Sequence, residues 1–223
     1  MNANPFRHEV VWQLGPVGVT RPVVVTWAVI AVLAVAAWLT TRRLSVDAPG
    51  RLQAAAELLL TTLRDEIRST MKLAPEPFVP LLGTIFVFIL SANLSGFLPG
   101  VEPPTGALET DLALALVVFA AVVVWGIRRH GAWGYLKTYG QPTLLMLPLN
   151  LMEALTRVVS MTVRLFGNVM SGMFISAVVL GLAGLLVPIP FMALELLTGL
   201  IQAYIFTVLA MVFVAAAAGD GDG

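Results

Sequence analysis

The chain has 223 residues, 58% of them hydrophobic and only 12% charged, with a mean hydropathy of +0.90. A typical soluble domain carries roughly 25% charged residues, so this is the composition of a bilayer protein. The 13 basic and 13 acidic side chains cancel, which argues against a nucleic-acid partner, and the lack of cysteine excludes disulfides and thiolate metal sites.

In chain order, residues 22–40 form a first apolar span, ended by Arg42-Arg43. Residues 1–21 are expected outside the membrane. The apolar stretch has span length rather than signal-core length, so no cleavable signal is expected. Residues 41–76 read as a loop. Within it Ala54-Ala55-Ala56, Leu58-Leu59-Leu60, Leu63 and Ile67 alternate with Arg51, Glu57, Arg64, Asp65 and Arg68, the pattern of an interfacial amphipathic helix. Residues 78–98 make a second span, closed by Pro99-Gly100, and 112–127 a third, stopped by Arg128-Arg129. Together 78–127 read as a helical hairpin. An interfacial stretch with Trp133, Tyr135 and Tyr139 then leads to Pro148.

The last two apolar stretches, 148–186 and 191–218, meet at Val187-Pro188-Ile189-Pro190. The first is much longer than the roughly 20 residues that cross a bilayer upright, so it must tilt, bend or lie partly in the plane. The whole is expected to be one all-α integral membrane domain of about five segments.

Orientation follows from basic residues. The 41–76 loop carries Arg42, Arg43, Arg51, Arg64, Arg68 and Lys72, and the 128–145 loop Arg128, Arg129 and Lys137. The 99–111 loop carries only Glu102, Glu109 and Asp111. The positive-inside rule puts the two basic loops in the cytoplasm, with the N-terminus outside and the Asp220/Asp222 tail inside.

Arg164 stands in a long hydrophobic stretch. Guanidinium cannot be deprotonated in a protein, and placing it mid-helix in a bilayer costs about 2.5–3.5 kcal/mol. Such a group faces a water-filled path or a carboxylate. Glu153, Arg157, Ser160, Arg164, Asn168 and Ser171 follow at steps of four, three, four, four and three, which puts them on one helical face. Glu195, Thr198 and Gln202 repeat the pattern beyond the proline turn. Two facing polar stripes, one with a central Arg and one with a carboxylate, describe a route for ions. Blander readings stand beside this one. Arg157 could snorkel to the interface, and Glu195 could be an ion-pair partner of Arg164. Ser160, Ser171 and Thr198 fit helix packing, and Asn93 fits a local cap near Pro99.

The string Arg164-Leu165-Phe166-Gly167-Asn168, preceded by Pro148, Asn150, Glu153, Arg157 and Ser160, resembles the signature helix of the a-subunit of F-type ATP synthases. Gln202-Ala203-Tyr204-Ile205-Phe206 is similar to that family's last-helix motif. Asn93-Leu94-Ser95-Gly96-Phe97-Leu98-Pro99-Gly100 and Pro104-Thr105-Gly106 match its earlier segments. The resemblance runs from about 78 to 214, and it rests on four motifs in the right order rather than on any one. It implies that 146–218 forms a tilted ion-channel hairpin wrapping a rotating ring of c-subunits, each with an ion-binding carboxylate. Arg164 would face that carboxylate and block leakage between two offset half-channels. Gln202 would sit near Arg164 on the opposing helix, Asn168 would line the outer half-channel, and Asn150, Glu153 and Ser160 the cytoplasmic one. It further implies a peripheral-stalk b-subunit, the remainder of the synthase and membrane lipid as partners, a bacterial inner membrane as location, and no cofactor or metal. ATP chemistry would belong to partner subunits, since the chain has no nucleotide-binding loop.

Three departures stand out. Met173 occupies the position where most relatives have Glu, nine residues after the essential Arg. Glu195 stands where many bacterial relatives have His, seven residues before the Gln. Ala107 replaces an Asp, with Glu109 and Asp111 close by. These departures resemble the alternate N-type branch, often linked to sodium pumping. A stand-alone secondary transporter is the alternative, which internal inverted repeats would favour; 22–98 and 112–214 do not mirror each other. An intramembrane hydrolase would need a Ser/His or paired-Asp constellation that the spans lack.

Overall fold

The computed structural model describes residues 10–14, 17–42, 50–98, 101–139, 144–183 and 188–219. Part of the expected external N-terminus, residues 43–49 of the first loop, Pro99-Gly100, most of the 184–190 turn and the Asp220/Asp222 tail lie outside the described residues.

Helices dominate, as the composition predicts, with one addition. Strands β1 (Val10–Leu14) and β2 (Val17–Thr20) pair antiparallel, with Gln13 opposite Gly18 and Leu14 opposite Val17. The sequence there is rich in Val with Gly15-Pro16 between the runs, which is hairpin chemistry.

Helix α1 (Arg21–Thr41) opens at Pro22, whose fixed φ suits the first turn. Its apolar side chains are largely uncovered, Trp27 being 60% and Val32 67% exposed. Its threonine hydroxyls bond back to the helix: Thr26 donates to the Pro22 carbonyl and Thr40 to that of Ala36, each at 2.8 Å. That is how a polar side chain is satisfied in hydrocarbon.

Helix α2 (Arg51–Met71) is amphipathic. It buries Leu63, Ile67 and Met71 at intervals of four and exposes Arg64, Asp65 and Arg68. It stops at Lys72, which adopts a left-handed backbone (φ 53°).

Helix α3 (Val79–Ser95) is shorter than the expected 78–98. Past Ser95 the chain tightens into turns, with the N–H of Phe97 bonded to the carbonyl of Leu94 and that of Leu98 to Ser95. Its 17 residues reach about 25 Å, near the lower limit for a span.

Helix α4 (Leu108–Tyr139) is longer at both ends than the expected 112–127. Arg128-Arg129 does not stop it, since arginine is a good helix former and ends an apolar run without ending a helix; Arg128 lies over the Trp125 ring, 4.8 Å from its centre. The axis breaks instead at Gly131, whose φ of 73° is open to glycine at little cost. The short helix beyond carries Trp133 and Tyr135, and a side chain at Gly126 would overlap the Tyr135 ring that folds back on it.

The last two helices are α5 (Leu147–Ala183) and α6 (Pro188–Gly219). The 37 residues of α5 run about 55 Å without a break, far beyond a hydrocarbon core of roughly 30 Å. That length exceeds an upright crossing, the excess from which the sequence predicts tilting, bending or lying partly in the plane. Among the described residues α1, α4, α5 and α6 are long and apolar enough to cross a membrane, and α3 is a shorter apolar helix. Those five helices are the five expected segments.

A single core joins α2 to α6: Ile67, Leu82, Ile89, Val118, Leu165, Phe206, Met211 and Val214 are almost fully buried. For its length, helix α5 is the least buried of these. Of its described side chains only Val158, Met161, Thr162 and Leu165 are buried, while Leu155, Val159, Val163 and Phe174 stand exposed.

Candidate ion-translocation site

The narrow buried strip of α5 fixes how its polar residues are presented. Leu165 is 0% exposed and locks the helix against the core, so its neighbour Arg164 points away and is exposed, as are Ser160, Gly167 and Ser171. Among the described residues Arg164 has no ion pair or hydrogen bond. Glu195 is thus not its partner here, and the ion-pair reading of Glu195 falls away. Gln202 is buried at 6% exposure on α6 with Nε2 unpartnered among the described residues, so no hydrogen bond ties it to Arg164 either.

Two polar sites flank Arg164 along α5. On one side, eight residues or about 12 Å along the axis, Gly172 faces the carboxylate of Glu195. A cavity of about 100 Å³ there is lined by Asn93, Asn168, Gly172, Met173, Glu195 and Thr198. Ser176 Oγ donates to Glu195 Oε1 at 2.6 Å. Asn168 and Glu195 therefore share one cavity, as the polar stripes predict. A second, almost wholly apolar cavity of about 310 Å³ lies on the other side of Glu195, between Leu90, Leu94, Phe97, Leu196 and Leu200.

On the other side, seven residues or about 10 Å from Arg164, Arg157 pairs with Glu153 one turn earlier. Its guanidinium also lies over the Phe213 ring of α6, 4.9 Å from the centre. Arg157 lines a small crevice of about 30 Å³ with Phe119 and Val122 of α4 and Phe213. So Arg157 is held by a carboxylate and an aromatic face rather than extended freely. Asn150 is half-buried and Ser160 exposed; neither borders the described cavities.

Asn93 is not a local cap. Its Nδ2 donates to the Gly199 carbonyl of α6 at 2.9 Å, and its Oδ1 accepts from Thr105 Oγ1 at 2.7 Å. Thr105 is fully buried in the 3-10 turn Pro104–Gly106. One amide thus joins α3, that turn and α6 at the cavity wall, and the lack of a side chain at Gly199 is what allows it: a Cβ there would lie 3.2 Å from Asn93 Cβ. Gly106 likewise admits the Met173 sulfur, 3.3 Å from where its Cβ would be.

Ser176 carries no mark in the sequence, and Thr105 and Asp111 are marked there only by their neighbours in a motif, not by the contacts and burial they show. Ser176 continues the four-residue steps Asn168, Gly172, Ser176 past Ser171, the last residue of the polar stripe. Thr105 has no periodic signal at all. Asp111 is 0% exposed in the first turn of α4, and both carboxylate oxygens lack a hydrogen-bond partner among the described residues. No group of acidic or histidine residues with metal-binding geometry occurs among the described residues.

The family described as ATP synthase A chain matches residues 23–215. ATP synthase subunit a 2 of a Bradyrhizobium species is 51% identical over 220 residues, covering 99% of this chain and 98% of the relative. ATP synthase subunit a 1 of Chlorobaculum parvum is 47% identical over 209 residues, 93% of this chain and 92% of the relative. ATP synthase subunit a of Albidiferax ferrireducens is 43% identical over 207 residues, 92% and 90%.

Proposed function

The chain belongs to the ATP synthase A chain family and is the multi-pass stator ion-channel subunit of an F-type ATP synthase, and on that footing we propose how its residues divide the work. The observation that carries the proposal is Arg164: a permanent cation on the uncovered side of an apolar helix, with no partner among the described residues. A cation so exposed needs a counter-charge from outside the chain, and the ring carboxylates of the c-subunits are that counter-charge.

Opposite unit charges about 4 Å apart attract by roughly 4 kcal/mol at an effective dielectric of 20. A ring carboxylate passing Arg164 is therefore favoured in its ionised form and releases its ion there. The same fixed charge repels a cation that would pass straight from one polar site to the other. The cavity holding Glu195 and Asn168 serves as the outer half-channel, and the Glu153–Arg157 end of α5, with Asn150 and Ser160, as the cytoplasmic one. Their offset of about 10–12 Å on either side of Arg164 supports that division. Gln202, buried with a spare amide N–H, acts beside the ring contact. Ions cross by riding the ring, and each charge carried is worth about 2.3 kcal/mol per 100 mV. ATP chemistry stays with the partner subunits.

The finer assignments are part of the proposal: a bacterial inner membrane, the N-terminus outside and the C-terminus in the cytoplasm, and contacts with the b-subunit and lipid. Bacterial relatives and the basic loops 41–76 and 128–145 support them. A stand-alone secondary transporter gains no support.

The test is ATP-driven ion pumping by the whole complex in vesicles, wild type against Arg164→Ala, with and without sodium. Coupled pumping is expected to vanish in the mutant while the complex still assembles. Sodium dependence identifies sodium as the ion, as in the N-type branch, and independence identifies protons. Normal pumping by Arg164→Ala overturns the proposal.

A further inference from the structure

We propose that Ser176 and Gly172 form a built seat for the Glu195 carboxylate, and that Ser176 is a positioning residue for ion passage through the outer cavity. This rests on the reading of Glu195 as the outer half-channel carboxylate.

Glu195 sits on α6, which could present a long, three-torsion side chain in many rotamers. Helix α5 removes that freedom. Gly172 and Ser176 are one turn apart and share a face. At Gly172 the missing side chain opens a notch: a Cβ there would stand 3.0 Å from both Cγ and Oε1 of Glu195 and 3.1 Å from Cδ. At Ser176 the hydroxyl donates to Oε1 at 2.6 Å, the short distance of a charge-assisted O–H bond. The notch sets where the carboxylate lies, and the hydroxyl sets how it is turned.

The seat matters because of what surrounds it. Glu195 and Asn93 border both the polar cavity and the large apolar one. A carboxylate that swung toward Leu90, Leu94 and Leu200 would face hydrocarbon instead of Asn168 and Thr198. Among the described residues lining the polar cavity, Glu195 is the only titratable group: α3 offers Asn93, α5 Asn168, and the 101–103 segment Val101 and Pro103. Holding that group in the polar cavity therefore sets where its charge meets an ion there.

The experiment is ATP synthesis by the whole complex in vesicles, measured against the concentration of the translocated ion on the outer side. Ser176→Ala is expected to shift the half-saturating ion concentration by roughly tenfold, the scale of one hydrogen bond to a charged group, and to leave the maximal rate near wild type. Ser176→Thr, which keeps the hydroxyl, is expected to restore the wild-type value. An unchanged half-saturating concentration, or a fall in maximal rate alone, overturns the inference and assigns Ser176 to packing. Glu195→Gln is measured alongside. Wild-type synthesis by that variant overturns the outer-carboxylate reading itself, and the seat with it, whereas impaired synthesis with a silent Ser176→Ala overturns only the seat.

Discussion

Asn93 offers the sharpest energetic test, because its two hydrogen bonds reach different elements. Asn93→Ala removes the 2.9 Å bond to the Gly199 carbonyl and the 2.7 Å bond from Thr105. At about 1 kcal/mol each, the bonds account for ~2 kcal/mol. The larger consequence lies at Thr105, which is 0% exposed: its hydroxyl keeps no acceptor, and an orphaned buried donor costs a further 1–3 kcal/mol or so. The expected loss is thus about 3–5 kcal/mol, measured as unfolding free energy in mixed micelles by denaturing-detergent titration with tryptophan fluorescence. The same logic predicts a reversal of sign. Thr105→Val alone loses one bond, about 1 kcal/mol, but in the Asn93→Ala background it removes the orphan and recovers stability. The coupling between the two substitutions should be about 2–4 kcal/mol. Additive effects, with coupling under roughly 0.5 kcal/mol, would refute the idea that this amide holds α3, the 104–106 turn and α6 together.

Asp111 is buried with both oxygens unpartnered among the described residues, an arrangement that costs about 1–3 kcal/mol. Asp111→Leu is therefore expected to hold or raise stability in the same titration; a loss above about 1 kcal/mol would show that another subunit or water pairs with it. Tyr204 Oη donates to Glu66 Oε1 at 2.9 Å in an exposed setting, so Tyr204→Phe should cost under about 1 kcal/mol. Ile67→Ala on the same helix as Glu66 removes a side chain with 0% exposure and should cost about 2–5 kcal/mol; equal effects of the two would contradict α2 being held by its apolar face. Gly131→Ala strains the positive φ at the α4 break and should cost about 1 kcal/mol, read as a lower midpoint in that titration.

The sequence made some features legible because their cause is local. Arg164 announces itself by being a fixed charge in an apolar helix, and α5 by a length no upright span needs. Helix ends were less legible. Arg128-Arg129 ends the apolar run, yet arginine does not end a helix, and α4 continues to the glycine that does break it. Leu98 looks like part of a span, yet the chain has already left the α-helix at Ser95. Least legible were Asn93 and Ser176, whose meaning lies in partners on another helix, 106 and 19 residues away. No periodicity within one helix encodes which residue of a second helix arrives opposite.

Under the proposed function, the poor burial of α5 and the lack of a partner for Arg164 among the described residues have one cause. A stator must offer its charge to a moving partner, and a guanidinium already paired within the chain would have spent its attraction internally. Arg157 shows the contrast: the same side chain, two turns away, is held by Glu153 and the Phe213 ring. What keeps Arg164 in place is therefore not a bond to the guanidinium but the backbone beneath it, fixed by Leu165, Met161 and Val158 in the core. That arrangement separates two roles that most buried arginines combine. The core supplies rigidity through one face of α5, and the uncovered side that carries Arg164 is the one the proposal offers to each ring carboxylate in turn. A substitution that loosened the core face, such as Leu165→Ala, should thus degrade coupling without touching a single charge. Pumping that matched wild type in an assembled Leu165→Ala complex would show that Arg164 needs no such anchor.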